Sequence, residues 1–75
     1  MKNDRMIAKR KEKKMTQGDV AESVGCSQSM VALIEGRKRD PHREIKIKLA
    51  EFYGVTVEWL FYEKINDQES LEEAI

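Results

Sequence analysis

The 75-residue chain has one cysteine, one proline, one tryptophan and one histidine. Cys26 alone forms no internal disulfide, and Cys26 with His42 is too small a set for a zinc site. Neither cross-links nor metal is therefore expected to hold the fold. Long apolar runs are missing too: stretches such as Trp59-Leu60-Phe61-Tyr62 fall far short of the ~20 residues a bilayer crossing needs. No apolar stretch of signal-peptide length follows Met1-Lys2-Asn3-Asp4-Arg5, so the cytoplasm is the expected location. No Asn-Gly or Asp-Gly step marks a hairpin. No nucleophile–base pair, metal cluster or phosphate-cradling glycine loop stands out, so neither an enzyme nor a cofactor is expected.

What is present is a mixture of 40% hydrophobic and 37% charged residues, too apolar for disorder and too charged for a membrane span. The length suits one domain with a modest core, so a second subunit would help to bury apolar surface. Formal net charge is zero, but its distribution is lopsided. Residues 1–48 carry 13 of the 14 Lys and Arg and 7 of the 14 acids, a balance of +6, and residues 49–75 balance at −6. A basic body and an acidic end suggest a polyanion-binding domain over residues 1–62 and a separate acidic tail over 63–75.

Hydrophobic periodicity and stop signals predict an all-α chain of about five short helices. The first is expected over 4–13, with Asp4 as N-cap and Met6 and Ile7 inward. Thr16 caps the second, with Asp19 three residues on completing a capping box. Its apolar face is Val20, Ala21 and Val24, and Gly25 ends it. Ser27 caps the third, which carries Met30, Val31, Leu33 and Ile34 and ends at Gly36. After the basic loop Arg37-Lys38-Arg39-Asp40, Pro41 opens a fourth helix that runs to Tyr53 and stops at Gly54. Ile45, Ile47 and Leu49 alternate as a strand would, but the bracketing Pro and Gly and the helix formers at 49–52 favour helix. Thr56, Trp59 and Leu60 suggest a short fifth helix. Asn66 or Ser70 is a candidate cap for a last one in the tail.

Thr16 to Gly36 carries the function. Two helices meet at a short turn containing Gly25, and small Ala21 lets them approach closely. Val20, Val24, Val31 and Ile34 pack the pair, which leaves Gln28, Ser29, Ala32 and Leu33 on the opposite side of the second. In this geometry a helix enters the major groove of DNA.

The chain here resembles the Cro/repressor (XRE) helix-turn-helix family, typified by lambdoid phage repressors. The resemblance runs from about Met6 to Leu60. It rests on Arg10, Thr16-Gln17, Val20-Ala21, Val24-Gly25, Ser27-Gln28-Ser29, Ile34-Glu35, Pro41 and the run Leu49 to Leu60. It implies that Gln17 bonds a DNA phosphate and braces the recognition helix, and that Ser27 adds a phosphate contact. It implies that Gln28 and Ser29 open the recognition helix, spanning residues 28–35, where a glutamine reads adenine by two hydrogen bonds. Ala32 and Leu33 would touch thymine methyls, although Leu33 also suits the core. Arg37, Lys38, Arg39 and Arg43 would hold the sugar-phosphate backbone. Arg10 and Glu35 match positions that pair in some members, a structural tie. The chain departs from the family where Lys9, Arg43 and Lys46 replace apolar residues. It also departs at Arg37, which stands where the family has glycine, leaving Gly36 to take over the turn.

The expected activity is sequence-specific binding of double-stranded DNA by a transcriptional regulator of phage or mobile-element type, chiefly a repressor. The expected partners are an operator of two-fold character and a second copy of the chain, joined near residues 55–65, where Trp59, Phe61 and Tyr62 are either core or interface. The acidic tail either keeps that end away from DNA or binds a protein. The DNA-binding antitoxin of a toxin–antitoxin pair and a restriction-system controller are the alternatives.

Overall fold

The computed structural model describes residues 2–62, so the tail at 63–75 and its candidate caps lie outside the described residues. The described chain is all helical: α1 (Asp4–Glu12), α2 (Gln17–Val24), α3 (Gln28–Glu35), α4 (Arg43–Tyr53) and a terminal π-helix, Glu58–Tyr62. No strand occurs among the described residues.

Local chemistry explains most of the boundaries. Thr16 and Asp19 form the full capping box of α2. The Asp19 backbone N–H donates to Thr16 Oγ1 at 3.0 Å, and the Thr16 N–H donates to Asp19 Oδ2 at 2.9 Å. That backbone N–H, with the Thr16 hydroxyl, holds the exposed Asp19 carboxyl below its usual range. Gly25 ends α2 at φ 78°, a left-handed conformation that costs glycine little. Ser27 Oγ accepts from the Met30 N–H and starts α3. Thr56 Oγ1 does the same for Trp59 before the π-helix.

Three boundaries differ from expectation. Asn3, not Asp4, caps α1: its Oδ1 accepts from the Met6 N–H at 3.0 Å. Its Nδ2 also donates to the Leu60 carbonyl at 2.9 Å, and its N–H donates to the Glu35 carbonyl at 2.8 Å. An aspartate at position 3 would lack that amide donor, so tertiary partners select the cap. Helix α4 begins at Arg43, two residues after Pro41, with His42 at the N-cap making no side-chain bond. Gly36 does not take over the turn after α3, for its φ is −84° and Arg37 instead is left-handed at φ 57°.

The core gathers Met6, Val20, Ala21, Val24, Val31, Ile34, Leu49, Ala50, Tyr53, Leu60 and Phe61. Ile7, read as core, is only half-buried. Helix α2 packs on α3 and α4, and α1 packs on α3. Leu49 is fully buried, so truncating it to alanine should cost about 2–5 kcal/mol. Of the three terminal aromatics, Phe61 is core, Trp59 half-buried and Tyr62 exposed.

Two of the departures from the family pattern have tertiary explanations. Lys9 and Arg5 lie over the Trp59 ring, at 5.6 and 4.6 Å from its centroid. Arg5 also donates to the Trp59 carbonyl, and together they clamp α1 to the π-helix. Lys46 is buried, but its amine bonds the Tyr62 hydroxyl and lies 3.0 Å from Asp40 Oδ1. The Tyr62 bond and the nearby Asp40 raise the Lys46 pKa despite burial. Arg43 is exposed and sits outside the core.

Candidate nucleic-acid interface

Helix α3 divides cleanly into two faces. Val31, Ile34 and Glu35 are buried, and Gln28, Ser29, Ala32 and Leu33 are exposed. Leu33 is 39% exposed and lies outside the core cluster. All four residues expected to read bases therefore share one open face of one helix. Gln28 lies close against α2, for its Oε1 would lie 3.3 Å from a Cβ placed on Gly18. The bare backbone at position 18 thus leaves room for the glutamine.

A buried polar network braces the other side. Glu35 is 3% exposed. It accepts from Arg10 Nε at 2.8 Å, Arg10 Nη2 at 3.2 Å and Gln17 Nε2 at 2.9 Å. Arg10 Nη1 also donates to the Met15 carbonyl at 3.1 Å. The hydrogen bond to Glu35 raises the Arg10 pKa above its ordinary value. Tyr53 lies close enough to feel both charges, and burial chiefly pushes its hydroxyl up to about 12. The network joins α1, α2 and the end of α3. It sets the angle of α3 by hydrogen-bond geometry as well as by packing.

Gln17 spends one amide hydrogen on this brace, keeping its oxygen and second hydrogen for another partner. Ser27 accepts a capping bond but can still donate its hydroxyl. Lys38, Arg39 and Arg43 are exposed and make a basic rim after α3. Arg37 departs from them, being half-buried, with Nε and Nη2 both inaccessible and without hydrogen-bond partners among the described residues. It is not a freely extended cation like its neighbours.

The structure also gathers two cations that sequence reasoning passed over. Lys2 and Lys11 line one cleft with Arg10, Gln17, Ala32 and Gly36. Spacing along α1 gives no hint of this, because the cleft exists only once α1 is packed against α3. Cys26 is half-buried and burial raises its thiol pKa, the opposite of an activated thiolate. Among the described residues no helix is long and apolar enough to cross a membrane.

A capped helix, a glycine turn and a second helix with one face free define a helix-turn-helix DNA-binding domain. The chain matches the helix-turn-helix family over residues 6–60 and belongs to it, as an XRE-family helix-turn-helix domain. It is also 38% identical over 47 residues to an uncharacterized HTH-type transcriptional regulator of Methanocaldococcus jannaschii, a match covering 63% of this chain and 71% of that protein. No solved structure matches the chain.

Proposed function

We propose that the protein is a sequence-specific transcriptional repressor that binds its operator as a homodimer, with α3 in the major groove. The observation that carries this reading is the open face of α3. Gln28, Ser29, Ala32 and Leu33 lie outward, the Glu35 network holds the helix from behind, and cations flank it on two sides. In this reading Gln28 and Ser29 bond base edges, and Ala32 and Leu33 touch thymine methyls. Gln17, Ser27, Lys38, Arg39 and Arg43 hold phosphates, joined by Lys2 and Lys11 from the cleft beside Ala32. The function is binding, exercised in the cytoplasm, and needs no catalytic step.

One such module covers a short half-site, so a two-fold operator with half-sites about 34 Å apart fits a dimer. A groove of about 640 Å³ supports this. Pro41, Ile47, Val57 and Tyr62 give it apolar lining, and Lys46 and Glu58 place opposite charges in it. Ile47 and Tyr62 are two of the three exposed large hydrophobics among the described residues, and a self-complementary contact would cover them. If the groove is the interface, Ile47→Glu converts a sedimenting dimer to a monomer. A wild-type chain that stays monomeric both free and on a palindromic duplex contradicts the dimer. For DNA binding itself, selection from random duplexes should return one preferred sequence. Affinity should fall with salt by a slope of about 0.9 per phosphate held, and single loss of Lys11 or Arg39 should lower that slope by about one. Selection that returns no preferred sequence removes the repressor reading.

A further inference from the structure

Asn3 is buried and bonds three elements at once. Its backbone N–H donates to the Glu35 carbonyl at 2.8 Å, its Oδ1 accepts from the Met6 N–H at 3.0 Å, and its Nδ2 donates to the Leu60 carbonyl at 2.9 Å. Met6 lies in the first turn of α1, Glu35 is the last residue of α3, and Leu60 lies in the π-helix. An N-cap needs only the Met6 bond. The carbonyl of a last helical residue has no partner within its own helix, and Asn3 supplies one for Glu35. The side-chain amide then ties the same residue to a carbonyl 57 positions away. Beside this tie a cleft of about 250 Å³ opens, lined by Asn3, by Ile34 of α3 and by Phe61 of the π-helix. Apolar packing between the end of α3 and the π-helix is incomplete there. Hydrogen bonds, which are directional, fix an angle that incomplete packing leaves loose.

The elements joined at Asn3 have different tasks. Helix α3 carries the face proposed to read bases. The π-helix brings Glu58 and Tyr62 to the groove proposed as the contact between copies, and Tyr62 is exposed. Arg5 and Lys9 over the Trp59 ring hold the π-helix against α1. The Lys46 amine holds its last residue through the Tyr62 hydroxyl. Asn3 is where this braced segment meets the end of α3.

We propose that Asn3 is a positioning residue for DNA recognition: it fixes the angle between the subunit contact and α3, and so selects the separation of the two half-sites. The role rests on the dimer proposed above. In a two-fold dimer the distance and rotation between the two copies of α3 follow from how each sits relative to the contact. One added base pair moves the half-sites apart by about 3.4 Å and turns them by about 34°. A stiff link rejects that change, and a loose one follows it. Substitutions at position 3 separate this role from capping. Asn3→Ser keeps a capping oxygen and the backbone bond to Glu35 but lacks the amide donor to Leu60. Asn3→Asp also keeps the cap, and sets a carboxylate oxygen against the Leu60 carbonyl.

The full chain and both variants are titrated against three duplexes: two half-sites at the selected spacing, the same pair with one base pair inserted, and a single half-site. Wild type should bind the inserted duplex roughly tenfold more weakly than the selected one. In both variants that ratio should fall to about threefold or less, while the single half-site is bound as in wild type. A residue that only stabilises the fold lowers the active fraction equally for every duplex and leaves the ratio unchanged. Amide exchange of the free protein reads the link without DNA. The residue-3 N–H should exchange roughly tenfold faster in Asn3→Ser, whereas the Val31 N–H keeps its wild-type rate. A spacing ratio as large as that of wild type in both variants, or equal acceleration at residue 3 and Val31, overturns the proposal and leaves the dimer standing. A wild type that binds both spacings equally overturns the dimer and this role together.

Discussion

Glu35 ends α3 with its carboxylate sealed from solvent and accepting three hydrogen bonds, two from Arg10 and one from Gln17. Arg37 follows two residues later, strained at φ 57° and with two buried nitrogens unanswered. The two residues belong to one turn of chain, yet the fold partners both oxygens of one and leaves two nitrogens of the other without a partner among the described residues. Glu35 is a residue the structure uses on itself, fixing the angle at which α3 leaves the body. Arg37 sits at a local cost, left-handed and with two donors that the described fold does not use. The difference separates the framework of the DNA-binding unit from its working edge more sharply than charge alone does.

Breaking the framework side should have the largest effect. Arg10→Ala leaves the Glu35 carboxylate buried and short of its charged partner, and should destabilise the chain by about 3–5 kcal/mol in urea unfolding. In a domain this small, that approaches the whole stability. A loss below about 1 kcal/mol would mean the pair behaves as a surface ion pair and would undo the contrast. The working edge should respond in the opposite direction. Arg37→Gly removes the left-handed strain and the unanswered donors, and should stabilise by about 1 kcal/mol while weakening DNA binding.

The pH dependence offers a finer probe of the framework. The Tyr53 hydroxyl titrates at about 12 in the fold against 10.0 in the open chain. An unfolded chain therefore releases this proton from about pH 10, whereas the folded one holds it. The stability tied to the neutral phenol is complete below pH 10 and is lost as the pH rises from 10 to 12. Thermal unfolding of wild type beside Tyr53→Phe should diverge only above pH 10, with wild type the loser. Near neutrality the two should be close, since the buried hydroxyl has no partner to lose. The smallest effect is expected at Gly18→Ala. Helix propensity favours alanine by about 1 kcal/mol, but its Cβ would crowd Gln28 Oε1 at 3.3 Å. Stability should rise slightly while the preferred DNA sequence shifts or blurs.

How much of this was legible in the residues depends on how local the cause is. Thr16, Asp19, Gly25 and Ser27 set the ends of α2 and α3 through bonds spanning three or four residues, so their pattern can be read along the chain. The open face of α3 follows from the same short-range periodicity. Asn3 could not be recognised as a cap, because its choice over Asp4 depends on Leu60, 57 positions away. Lys46 looked misplaced for a similar reason: Asp40 and Tyr62 reach it only through the tertiary fold. Pro41 suggested an early start to α4 because proline tolerates a first turn, but the helix waits two residues longer. The left-handed Arg37 contradicts local preference outright, and Lys2 and Lys11 become neighbours of Ala32 only after α1 packs. Framework helices were thus readable, and the cationic edge was readable in composition but not in arrangement.

The measurement that tests the central claim most directly is duplex binding by wild type and Gln28→Ala, using the selected sequence and a scrambled one across several salt concentrations. Wild type should prefer the selected duplex, and Gln28→Ala should lose about 1–3 kcal/mol of that preference while keeping the same salt slope. A Gln28→Ala chain that discriminates as well as wild type would contradict the account, because the open face of α3 would then not be reading bases.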